Sequence, residues 1–245
     1  MSNIIEGLKR LYNNIPRQIQ IFSVCGIMGL FQGYFMLDNN GMNNVVFYQK
    51  IAYFILCCLF SWFIIGYETQ FLHEREIPEV SSEAFFITCK RALIFVFLFS
   101  IPLFVIQFFP KYNLFAFICE ILLAIPFTMI QAGISYNYEN KDALKLFTKF
   151  DLNDYLLLIF KRLWVIFMAY LIVFTLIFIT FFIAGFTIAI IYKGDLSSIG
   201  LAISSYQIVI IKLASYISSI LLVYFLTTGT LAWDYELVKT YERKI

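Results

Sequence analysis

From Leu163 to Tyr192 the chain runs thirty residues without a charged side chain. As one α-helix that run is about 45 Å long, against a bilayer hydrocarbon core of about 30 Å. No soluble domain of this length needs such a segment. The run must tilt, protrude or break near Gly185, and the Lys193-Gly194-Asp195 turn directly after it favours tilt with protrusion. Other apolar windows have the same character: 46–66, 92–109, 114–133 and 205–231. A weaker one covers 20–37, interrupted by Ser23, Gln32 and three glycines.

Lysine and arginine placement fixes the count. With six spans, fourteen positive charges fall on the side that carries both termini, and only Lys50, Lys111 and Lys193 fall on the other. That asymmetry follows the positive-inside rule, with both termini cytoplasmic. Omitting the first span would move Lys9, Arg10 and Arg17 outside and blur the pattern. The expected fold is an all-α integral membrane protein of six transmembrane helices in a bacterial cytoplasmic (inner) membrane.

Composition supports this and narrows the chemistry. Hydrophobic residues make up 61% of the 245 positions and charged residues 14%, where soluble domains carry about 25% charged. Phe alone contributes 29 residues, a bias suited to lipid contact. A net charge of +2 gives no footprint for nucleic acid. Cys25, Cys57, Cys58, Cys89 and Cys119 form no CxxC pair and read as reduced, small apolar residues. The first apolar stretch follows polar residues and has no small-residue cleavage site, so it is expected to stay in the membrane. No P-loop, nucleophile–base set, cofactor motif or metal motif is visible, and neither enzyme nor cofactor is expected.

Two segments repeat a pattern. Residues 83–91 and 154–162 each hold an acid, six mostly apolar residues and a Lys-Arg pair at a membrane edge, and Glu6 to Arg10 is a looser echo. This is either three tandem helical hairpins, each entered through a short amphipathic cytoplasmic helix, or the general habit of placing basic pairs at cytoplasmic helix starts. Asp151, with Asp154 three residues on, suits a helix cap, as does Ser81. Ala143, Leu146, Phe147 and Phe150 share one helical face, opposite Lys145 and Lys149.

Charges inside spans are the first functional suspects in a membrane protein. Glu120 and Lys212 each lie about 10 Å below the outer surface at 1.5 Å per residue, a depth that permits an ion pair. They are candidates for a carrier's ion site, against the plainer reading of a snorkelling lysine and a carboxyl held for packing. Gly26, Gly29 and Gly33 form a small-residue packing face. Pro102 and Pro126 mark kinks in the third and fourth spans. His73 lies among carboxylates but lacks zinc spacing, which points to a solvated loop. The segment from Asp234 to Lys244 reads as a helical extension, either a partner-binding end or a solubilising one.

Gly66-Tyr67 followed by Glu76-Ile77-Pro78, Arg91-Ala92-Leu93 leading to Ile101-Pro102, and Ala143 to Phe147 followed by Tyr155-Leu156 resemble short motifs of an uncharacterised bacterial membrane-protein family. The six-helix outline is also similar to the membrane domain attached to glycerophosphodiester phosphodiesterases. The resemblance implies architecture and brings no catalytic residues.

The expected role is therefore a non-enzymatic accessory or scaffold protein that packs with other membrane proteins or with itself in the bilayer. The competing expectation is a small transporter or channel subunit using Glu120 and Lys212.

Overall fold

A computed structural model describes residues 2–37, 47–72, 128–133, 135–136, 150–191 and 196–243, and it contains no strand among them. Five helices carry most of these residues: α1 (Ser2–Asn13), α2 (Ile15–Leu37), α3 (Phe47–Leu72), α4 (Leu152–Ile191) and α5 (Leu196–Glu242). A helical stretch at 128–133 adds a sixth wall.

Three segments are long and apolar enough to cross a membrane: Ile51–Glu68, Leu152–Ile191 and Lys212–Glu242. The expected first span falls in α2, a 23-residue helix that is not among the three. The third span and all but the last turn of the fourth lie outside the described residues, as do Ser81, His73, Glu120, Pro102 and Pro126. The described part thus contains the first and third expected hairpins and leaves the middle one aside.

The thirty-residue apolar run does not break at Gly185. It is the outer part of α4, which is 40 residues and about 60 Å long. The segment expected as a short entry helix, 154–162, is continuous with it and falls in its first three turns. Asp151 and Asp154 explain where it begins. The Asp151 backbone N–H donates to Asp154 Oδ2 at 2.9 Å, and Tyr155 N–H donates to the Asp151 carbonyl at 3.1 Å. This is one arm of a capping box. α2 starts in a related way, with Arg17 N–H donating to Asn14 Oδ1 at 3.1 Å.

α5 is the organising element and packs against α1, α2, α3 and α4. Its contact with α2 depends on two glycines. A methyl group on Gly29 would lie 2.5 Å from Ile220 Cα, and one on Gly33 would lie 2.7 Å from Tyr216 Cδ1. Gly26 opens onto nothing within 4 Å. The backbones approach closely at the two sites where a side chain is missing. Above this contact Phe22 and Tyr224 meet edge to face, with centroids 5.3 Å apart, and Tyr224 Oη donates to Gln18 Oε1.

The C-terminal segment is the largest departure from the sequence reading. Leu231 to Val238 are buried without interruption, so α5 has no solvent-facing side there. The segment read as a helical extension, either a partner-binding end or a solubilising one, is helical to Glu242, and its first part forms the core of one end of the bundle. α1 covers it: Gly7 packs on Ala232, Tyr235 Oη donates to Glu6 Oε1 at 3.1 Å, and Arg243 Nη2 donates to Asn3 Oδ1 at 3.1 Å. The start of α1 and the end of α5 therefore lie at the same end, called the base below.

Toward the other end α4 exposes apolar side chains, among them Phe174, Phe178, Phe182 and Phe186. In α4 the side-chain hydroxyls of Thr175, Thr180 and Thr187 each donate to the carbonyl four residues back, at 2.8 Å. That leaves no hydroxyl in need of water on a face of exposed aromatic and aliphatic side chains.

Candidate functional site

The base gathers polar groups that the apolar helices cannot leave in lipid. Glu68 closes the apolar stretch of α3, Arg162 lies near the start of α4 and Asp234 lies near the end of α5. In an antiparallel arrangement these three termini coincide, and the structure brings all three side chains into one buried cluster. Glu68 and Asp234 are fully buried and Arg162 is 8% exposed. The guanidinium attracts both carboxylates, and the carboxylates repel each other.

Few neutral groups support them. Gln131 Nε2 donates to Glu68 Oε2 at 2.7 Å, and Ser135 lies beside the same carboxylate. The Arg162 guanidinium rests over the Trp233 ring, 5.4 Å from its centroid. Trp233 Nε1–H donates to the Leu158 carbonyl at 2.9 Å, fixing the indole against the first turns of α4. Alongside, Lys161 Nζ donates to Glu236 Oε1 in a largely buried ion pair between α4 and α5. The order of residues follows from helix geometry. Lys161 and Arg162 point to neighbouring sides of α4, so one basic pair meets Glu236 and Asp234 together.

The cluster is not internally satisfied. Neither oxygen of Asp234 has a hydrogen-bond donor among the described residues, and Glu68 Oε1, Ser135 Oγ, Arg162 Nη1 and Glu236 Oε2 are likewise unpartnered. Two carboxylates face one guanidinium, so the fully ionised cluster carries one negative charge too many for its burial. An unpaired buried charge costs several kcal/mol, roughly, and is relieved by a proton, a cation or a donor from elsewhere. Chemically the site is a helix clamp with spare acceptor capacity. No set of three or more His, Cys, Asp or Glu able to hold a metal ion occurs among the described residues.

The residues singled out in the sequence fall elsewhere. Lys212 is on α5, exposed, about 33 Å along the helix from Asp234. Its expected partner Glu120 is outside the described residues. Gly29 and Gly33 line the α2–α5 contact described above, and Cys25, Cys57 and Cys58 are free thiols, buried or half-buried. Sequence pattern does not single out Glu68, Arg162 and Asp234 as a cluster, because each sits at the edge of an apolar run, where charge is ordinarily solvated. One signal was available. Glu68 follows Gly66 by two residues and Asp234 follows Gly229 by five, and α3 and α5 run on past these glycines to Leu72 and Glu242, so each acid lies inside a helix and not in a loop after it.

No family model, curated protein or solved structure matches the chain.

Proposed function

We propose that this protein is a non-enzymatic scaffold of a bacterial cytoplasmic membrane, multi-pass with both termini inside, that packs against other membrane proteins. One observation carries the reading. Beyond Val173, α4 continues for residues 174–191, about 27 Å, with no buried side chain. Phe174, Phe178, Phe181, Phe182 and Phe186 recur at helical spacing along it, and each is 44–69% exposed. Among the described residues, the polar contacts between α4 and other helices collect at the base, which leaves this outer half as an arm. An aromatic stripe on such an arm suits a helix of another chain, because packing complementarity drives association in lipid.

Affinity purification in native-lipid particles, followed by mass spectrometry, tests this. A stoichiometric membrane-protein partner is expected, and its loss when Phe178 and Phe182 are both changed to Ala would place it on the arm. Solute flux catalysed by the isolated protein in liposomes would overturn the scaffold reading.

The unpartnered oxygens of Glu68 and Asp234 favour a second reading, a cation- or proton-coupled carrier. Buried ionisable groups in membrane proteins pair with one another and also mark ion pathways and proton relays. In that case flux is expected in liposomes and is lost in Asp234→Asn.

A further inference from the structure

A groove of about 370 Å³ opens between α1, α4 and α5 next to the base. Its wall on α4 is Lys161, Trp164, Val165, Met168, Ala169 and Ile172, which is one helical face. Ile4, Ile5, Leu8 and Tyr12 of the amphipathic α1 close the second side, and Phe225, Thr228 and Gly229 of α5 close the floor. We propose that this groove binds one acyl chain of a bilayer phospholipid, with the lipid phosphate at Lys161.

Length, polarity and charge support that occupant. From Lys161 to Ile172 the wall runs about 16 Å along the helix axis, close to the roughly 15 Å of one leaflet's hydrocarbon. The lining is almost entirely apolar, as a hydrocarbon chain requires, and the volume lies in the range of about 300–1,000 Å³ typical of ligand sites. Among the described residues that line it, the one cation, Lys161, is at the end nearest the base. Lys161 has three donors, of which Glu236 takes one, so an anionic oxygen can be accepted without breaking the helix pair. Tyr12 and Trp164 flank the groove, 43% and 42% exposed, and both ring types favour the headgroup boundary. α1 then lies at the membrane surface and forms a lid over the chain rather than a peripheral tail.

Native mass spectrometry of the full-length protein, released from detergent after incubation with phosphatidylglycerol or with palmitate, tests the assignment. One retained phosphatidylglycerol per chain is expected. Met168→Trp fills the middle of the groove and Ile172→Trp narrows the end farthest from Lys161, and each should lower retention at least about tenfold while circular dichroism stays unchanged. Because Ile172 is 39% exposed, its variant folds even where Met168→Trp does not. Unchanged retention in a folded variant overturns the proposal. So does the absence of retained phospholipid, or displacement by palmitate at equal concentration, which would make the groove a free fatty-acid site.

Discussion

The Arg162 guanidinium lies over the Trp233 ring at 5.4 Å, and the same indole donates its N–H to the Leu158 carbonyl one turn earlier in α4. One aromatic residue thus places the cation and ties α5 to α4. Trp233 has no exposed surface. Removing the ring is expected to cost about 3–5 kcal/mol in Trp233→Ala, whereas Trp233→Phe, which keeps most of the ring and loses the donor, should cost about 1–2 kcal/mol. Thermal unfolding in detergent, followed by circular dichroism, gives both values.

Charge balance at the base makes a sharper prediction. Arg162→Met leaves Glu68 and Asp234 buried without their cation and should destabilise by about 3–5 kcal/mol. Asp234→Asn alone is expected to leave the melting temperature unchanged or raise it, since neither carboxylate oxygen has a donor to lose. The double variant should recover a substantial part of the Arg162→Met loss. Strict additivity in that cycle would mean that the two groups do not interact.

The glycine contacts separate by position. Gly29→Leu forces a side chain into the α5 backbone at Ile220 and is expected to unfold the α2–α5 contact, read as loss of a monodisperse peak on gel filtration. Gly26→Ala meets open space and should change stability by no more than about 0.5 kcal/mol. Equal effects at the two sites would contradict the packing described for α2.

The start of α4 is set by local chemistry. Asp154→Ala removes the acceptor for the Asp151 N–H and should cost about 1 kcal/mol, visible as faster amide exchange over 152–155 and nowhere else in α4.

The apolar runs and the cap were legible in the sequence because each depends on local pattern alone. The thirty uncharged residues required a membrane-length helix, and an acid three residues after another required a helix start. The role of the C-terminal segment was not legible. Mixed charges such as Asp234, Glu236 and Lys239 ordinarily mark a solvated face. Here α1, α3 and α4 surround Leu231 to Val238, and only tertiary contact reveals that Asp234 and Glu236 face Arg162 and Lys161. The same holds for Glu68, whose position at the end of an apolar run looks solvated until Gln131 is brought to 2.7 Å from it. Glycines gave a partial signal: the small-residue stripe of α2 was visible, but which of its members touches α5 was not.

The scaffold reading is tested most directly on the outer half of α4. A photo-crosslinking amino acid placed at Phe182, in the native membrane, should capture one membrane protein in stoichiometric yield, while the same probe at Leu152 at the base should not. Crosslinks from Phe182 to lipid alone would contradict the account.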